Sequence, residues 1–479
     1  MGKSKRMDDL CAVFVHAGAG YHSRENEKKH LSVCQLAVEA GMALLRHGGD
    51  AVDAVEIALT VLEDAPITNA GYGSNLTEKG VAECDACIVD HLGRSGAAGA
   101  VPNVKNPIQL ARRIYEQAYR APGMSRVPPN LLCGEGATDF AWNHNIVVVP
   151  SDAMITPMAR SRWTDWTNDI INFERAHPQS DAEVQATYFR RPHNPSYSKI
   201  PGVRERIEAA RAILPEVKES HPVKAQNFDG LDPRPSFHVP SSHDQINWTG
   251  FQAKTPKWTP EFRNFGEDSQ VDDQFDDEDC VTDTVGAIAV DRHGNIAAGS
   301  SSGGIGMKFR GRIGPAALIG IGTHVFPVDP TDPDGTTVAV VASGTGEHIA
   351  SSFAASKCAE RIYYNQKVGP GGVYEQVTEE EAISAMIQNE FCGHPAVLNS
   401  EIAGSIGLMA VKKSCDGIGL FFAHNTESFA LASLSSNDTV AQCVMSRNPK
   451  KASVAQGGLM FRPTYSSNGS DDRRKRIMA

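Results

Sequence analysis

The feature that most constrains this chain is an interruption. From about Met158 to Cys280 the sequence is rich in Pro, Arg, Asn and Asp and carries few sustained apolar patterns. Unstructured stretches of that length are uncommon inside a compact domain and call for a functional reason. The interruption ends in "GEDSQVDDQFDDEDC", dense with acid and free of Lys or Arg. Pattern then returns abruptly at Thr284, at the head of "TVGAIAVD". A segment whose like charges repel one another stays solvated, whereas an apolar alternating run must be buried. The fold is therefore expected to be built from two pattern-rich stretches, about 10–160 and 284–465, on either side of a flexible acidic linker of about 160–283. One helix, "GVRERIEAARAIL", is expected within the linker, and a disordered tail over about 465–479.

Both stretches carry strand and helix signals. "AVFVHAGAG" reads as a short strand running into glycines. Val33, Ala37, Ala40 and Leu44 recur at helical spacing and stop at Gly48–Gly49. Val52, Val55, Leu59 and Leu62 mark a second helix. "VAECDACIVD" and "SGAAGAV" read as strands, and "PIQLARRIYEQAYR" as a helix with Pro107 near its start. Beyond Thr284, "DRHGN" separates two strands at hairpin spacing. "TVAVVASGTGEHIASSFAASKCAERIYY" reads as strand, glycine turn and helix. "SIGLMAVK" and "GIGLFFAHN" form another hairpin pattern.

Composition excludes some classes of function. A hydrophobic content of 41% with 22% charged residues is that of a globular chain, and a net charge of −11 offers no general reason to bind nucleic acid. No apolar run approaches the roughly 18 residues of a membrane span, so no membrane partner is expected. The basic start makes a poor signal peptide, and Arg6 breaks the myristoylation pattern. Ten cysteines without an export signal suit a reducing compartment. A cytoplasmic or nuclear location is expected, the basic run Arg473–Arg476 reading either as an import signal or as a solvated tail. The lone pair Cys84 and Cys87 reads better as buried small residues than as a metal or redox site. Neither HExxH nor a Walker loop occurs, and no metal or cofactor is expected.

Thr284 points to a different chemistry. A threonine becomes a nucleophile when its own α-amine serves as base, and such an amine has a pKa of about 7.7–8.0. An internal threonine gains that amine only if the bond before it is cut. A solvated segment ending at a rigid strand is a suitable place for the cut. Taken alone, Thr284 reads better as an ordinary strand residue.

The motifs "DTVGAIAVDRHGNIAAGSSSGG", "GRIG" and "SGTGE" resemble the nucleophile half of the plant-type asparaginase family. "VFVHAGAGYHS", "LEDAPITNAGYGSNL" and "ECDA" look more narrowly like its threonine aspartase (taspase) branch, endopeptidases that cut after aspartate. The resemblance covers roughly residues 10–160 and 280–460. It implies an α+β fold, the four-layer αββα sandwich of the N-terminal-nucleophile hydrolases, matured by autoproteolysis. It implies Asp283–Thr284 as the self-cleavage bond, Thr284 as nucleophile and Ser302 as its supporting hydroxyl. Arg312 matches the arginine that grips a substrate carboxylate, and Thr345 with Gly346 the oxyanion pair. Asn69 and Gly18 match loop positions that line the site. The two fragments, 1–283 and 284–479, are expected to stay associated, with a dimer of such pairs as a further expectation.

Within the family, amidases hold the substrate's α-ammonium with an aspartate three residues after the arginine. Pro315 occupies that position here and cannot pair a cation. Thr345, by contrast, is of the amidase type. The expected activity is an autoprocessed threonine endopeptidase acting on protein substrates after Asp. An L-asparaginase or isoaspartyl peptidase is the alternative.

Overall fold

The computed structural model describes residues 10–119, 123–176, 284–448 and 454–463. Asp283, the expected linker helix, the acidic run and the basic tail lie outside the described residues. The described residues of Met1–Phe173 and Gln274–Ala479 form one compact unit; of the other, Glu174–Asp273, only the last three residues of a helix are described.

Two sheets carry the first unit. The larger has eight strands in the order β14-β13-β1-β5-β6-β2-β3-β4. These are β1 (Ala12–Gly20), β2 (Cys84–Asp90), β3 (Ser95–Val101), β4 (Leu131–Cys133), β5 (Val285–Val290), β6 (Ile296–Ser302), β13 (Ser428–Ser435) and β14 (Gln442–Arg447). The smaller, in the order β15-β12-β11-β8-β7, contains β7 (Thr323–Phe326), β8 (Thr337–Gly344), β11 (Ile406–Ser414), β12 (Gly417–His424) and β15 (Ala455–Phe461). A separate hairpin pairs β9 (Gln366–Val368) with β10 (Tyr374–Gln376).

Strand alternation fixes the layers. On β1 and β5, Val13, Val15, Val285, Ala287 and Ala289 face one way. They pack on α1 (Glu27–Arg46), α2 (Ala51–Asp64) and α3 (Pro107–Ala118). A smaller cluster joins Leu110 and Ile114 of α3 to Ala137 and Ala141 of α4 (Gly134–Asn143). Phe14, Ile288 and Val290 face the other way and meet Val341, Met409 and Val411 of the second sheet. The far side of that sheet, including Val338, Val340 and Leu408, packs on α7 (Ala354–Tyr363) and α8 (Glu379–Ala385). The result is helix, sheet, sheet, helix: the four-layer αββα sandwich. Successive side chains of a strand point to opposite faces, so a strand clothed on both sides is apolar throughout. That explains why "AVFV" and "TVAVVA" do not alternate cleanly.

Two elements depart from the sequence reading. The linker is expected to begin near residue 160, yet α5 runs Pro157–Ala176. Its apolar residues Trp163, Trp166, Ile170 and Phe173 recur at helical spacing, diluted by polar neighbours that hide the pattern. The helix after "SGTGE" is two helices, α6 (Gly346–Ser352) and α7, broken at Phe353, which is left-handed with φ 54°.

Candidate active site

Thr284 is buried and immediately precedes β5. The antiparallel pairing of Val285 with Ser301 sets it level with Ser302, one step further along β6. Ser302 is also buried, and its Oγ accepts the N–H of Gly304 at 2.9 Å. Two sequence-predicted hydroxyls, 18 positions apart in the chain, thus close one end of the β5–β6 pair.

A third hydroxyl joins them, to which sequence reasoning assigns no role. Ser343, fully buried at the end of β8, accepts the N–H of Thr284 at 3.3 Å and that of Ala19 at 3.0 Å. In the uncut chain it holds the nitrogen that a cut before Thr284 would convert to an amine. Its signal is present in the sequence, since Ser343 opens the "SGTGE" motif. His16 is likewise missed by sequence reasoning. Its fully buried ring lies against Gly286, where a Cβ would sit 2.3 Å from Nε2. Burial drives the imidazole down to about 3, opposed by the backbone of Thr284. It is therefore neutral at ordinary pH. Gly18, with φ 107°, donates its N–H to His16 Nδ1 at 3.3 Å, at the irregularity of β1 between His16 and Ala19.

Thr345 caps α6, and its N–H is bound to the carbonyl of Ser405 at 2.8 Å. The Thr345 hydroxyl accepts the N–H of Ser405 at 3.2 Å and donates to Ala403 at 3.3 Å. The next residue, Gly346, is the first of α6. Its N–H has no intrahelical acceptor and is free in principle to meet a developing negative charge.

Arg312 reaches the same place from the loop after β6. A Cβ on Gly346 would lie 2.5 Å from Nη2, one on Gly314 2.6 Å from Nη1, and one on Gly304 3.0 Å from Nη1. Glycine at these positions leaves the guanidinium room to approach the backbone closely. Glu347 binds its Nε at 3.0 Å and Nη2 at 2.9 Å. Pro315 is buried and packs on Gly346, where its Cδ lies 2.8 Å from the position of a Cβ. Thr284, Ser302, Thr345, Gly346, Arg312 and Pro315 are thereby linked through Ser343, Gly304 and the glycine contacts.

Asn69 stands behind this group. Its Nδ2 donates to the carbonyl of Gly304 at 2.8 Å, and its Oδ1 accepts the N–H of Asn75 at 2.8 Å. Its own carbonyl takes the N–H of Gly303 at 2.8 Å. Asn69 thus holds the loop after Ser302 through its Nδ2 and its carbonyl, and its own loop through Oδ1. Cys84 and Cys87 are buried in β2, and burial pushes the Cys84 thiol up to about 11. No described helix is long and apolar enough to cross a membrane.

Comparison with known proteins agrees with the four-layer fold. A family model described as "Asparaginase" matches residues 10–191 and 199–412. An isoaspartyl peptidase/L-asparaginase of Xenopus laevis is 41% identical over 152 residues, covering 32% of this chain and 46% of that protein. One from Danio rerio is 39% identical over 157 residues, 32% and 47% of the two chains. These matches span about half the length of those two relatives. An isoaspartyl peptidase of Salmonella typhimurium is 26% identical over 358 residues, 74% of this chain and 79% of that protein.

Proposed function

Because this chain belongs to the asparaginase family of N-terminal-nucleophile hydrolases, we propose that it cuts itself before Thr284 and then hydrolyses aspartyl-linked bonds with that threonine. What supports the reading is the position of Thr284, buried level with Ser302 and with its nitrogen held by Ser343. In the self-cut, Thr284 Oγ1 attacks the carbonyl of Asp283. An ester replaces the peptide bond, and water then hydrolyses it. The freed amine acts as base in the second reaction, taking the hydroxyl proton as Oγ1 attacks a substrate carbonyl and returning it to the leaving nitrogen. Water releases the acyl group. Gly346 N–H and the Thr345 hydroxyl face the oxyanion, the latter by turning its proton from its long bond to Ala403. Arg312 takes the carboxylate that remains on the aspartyl unit, a task suited to its planar fork.

The substrate divides two readings. The names of the relatives support an isoaspartyl peptidase or L-asparaginase rather than the endopeptidase expected from the sequence. One observation favours the endopeptidase: Pro315, buried against Gly346, supplies no anion for a free α-ammonium. Intact-mass analysis is expected to show a fragment beginning at Thr284, and Thr284→Ala to remain one chain. The processed protein is then offered L-asparagine, an isoaspartyl dipeptide and a library of Asp-containing peptides. Ammonia or dipeptide turnover supports the first reading and cleavage after Asp the second. An uncut wild-type chain that is nevertheless active would overturn both.

A further inference from the structure

Asp85 belongs to "ECDA", a motif that carries the resemblance but has no role assigned from sequence. It faces Ser302 across the β2–β6 pair and is fully buried. Its Oδ1 accepts the N–H of Ala100 at 2.7 Å, and its Oδ2 the N–H of Gly314 at 2.7 Å. Ala100 adopts φ 46°, a left-handed conformation unfavourable to a residue with a Cβ, and the carboxylate secures it there. Gly314 lies two residues after Arg312. A Cβ on it would stand 2.6 Å from Arg312 Nη1 and 3.1 Å from Asp85 Oδ2, so carboxylate, glycine and guanidinium lie in close succession. Lys308 is buried nearby, its ammonium bound to the carbonyl of Glu83.

Burial pushes the Asp85 carboxyl up, while the charges of Lys308 and Arg312 and its two backbone bonds oppose that rise. Each oxygen is already occupied by a backbone N–H. A carboxylate held this way offsets the charge of Arg312 at short range. It does not itself pair with the guanidinium, whose Nε and Nη2 meet one oxygen of the exposed Glu347, a partner that a substrate carboxylate would displace.

We propose that Asp85 is a positioning residue for Arg312, gripping the Gly314 N–H so that the guanidinium points at the substrate's carboxylate. The inference rests on the reading of Arg312 as a carboxylate clamp. Asp85 itself touches neither substrate nor reacting atoms.

Asp85→Asn keeps the shape but replaces one acceptor with a donor, which must then face a backbone N–H. The loop carrying Arg312 should move while Thr284 and Ser302 stay. With the processed enzyme, KM is expected to rise tenfold or more, with kcat within about threefold of wild type. The dissociation constant of L-aspartate, used as a calorimetric probe, should rise in parallel. Gly314→Ala, which leaves Asp85 intact and displaces the guanidinium directly, should reproduce the pattern if Asp85→Asn fails to fold. The double variant should be no worse than the poorer single one. Unchanged KM and aspartate affinity in Asp85→Asn would overturn the proposal. So would a fall in kcat that tracks thermal destabilisation, the mark of a purely structural role. If wild type fails to bind aspartate and Arg312→Gln leaves KM unchanged, the clamp reading fails and the proposal fails with it.

Discussion

At the scale of single residues, two buried ionisable groups set opposite limits on stability. Glu63, in the last turn of α2, has no exposure, and its Oε1 accepts the N–H of Ile108 at 2.9 Å. Burial pushes its carboxyl up from 4.5 to about 8, against the pull of bonds to Ser301, Ile108 and Asn106. The stability it contributes is fully present below pH 4.5 and is lost as pH rises through about 8, because the unfolded chain gives up the proton first. His16 acts in the other direction. Its folded pKa of about 3 lies below the ordinary 6.5, so stability falls as pH drops between those values. Glu63→Gln retains an acceptor for Ile108 without the titration. It is expected to leave Tm nearly unchanged at pH 4.5 and to raise it by several degrees at pH 8. On the order of 2–4 kcal/mol is at stake, since each tenfold change in proton affinity is worth about 1.4 kcal/mol. Thermal melts across pH 4.5–8 check it, and parallel curves for the two proteins would refute it. Thr284, Ser302 and Arg312 can be picked out from sequence because each stands in a contiguous motif. Ser343, His16 and Asp85 stand in quoted motifs as well, but their roles arise from contacts such as Ser343–Ala19 that local pattern does not reveal.

At the scale of elements, α5 is the informative case. A Cβ on Gly306, four residues after Ser302, would lie 2.0 Å from the ring of Trp166 on this helix. Trp163 donates its indole N–H to the carbonyl of Thr77 at 3.0 Å. Arg162 donates to Asn75 Oδ1 at 3.2 Å. The helix therefore lies on the two loops that shape the end of β6. Gly306→Ala is expected to cost about 1–3 kcal/mol through overpacking and to slow appearance of the Thr284 fragment. Removing the ring as well, in Trp166→Ala with Gly306→Ala, should restore part of that rate. Gel densitometry of processing gives the readout, and an additive loss in the double variant would reject the contact. The helices α1, α2 and α3 are legible because apolar residues recur at helical spacing, although the buried stripe of α1, with Cys34, Val38, Gly41 and Leu45, lies one position past the one read from sequence. Proline, arginine and asparagine around α5 mask a stripe of the same period. The break at Phe353 is invisible because phenylalanine carries no signal for a left-handed backbone.

At the scale of the whole molecule, the order of the large sheet matters most. Periodicity can place most strands, but not the stacking of the sheets, because inter-sheet contacts such as Phe14 with Phe461 join distant parts of the chain. In the sequence, the four layers are legible only through the resemblance. The strand order mixes the two sides of the expected cut: β14 and β13 follow it, β1 precedes it, β5 and β6 follow it, and β2, β3 and β4 precede it. A cut before Thr284 would leave β1 bonded on both edges to strands of the other fragment. The fragments are expected to co-elute in size exclusion after processing and to separate only in denaturant. Elution as two species in native buffer would contradict this.

This woven order also gives the molecule a direction in time. A single chain can lay β5 and β6 between β1 and β2 because covalent continuity keeps every strand at hand. Two severed pieces would have to find the same weave by collision, each with raw sheet edges exposed to its own kind. The cut enzyme would thus be a form reached once from its precursor. Denaturation would end its working life, and new activity would have to come from newly made chains.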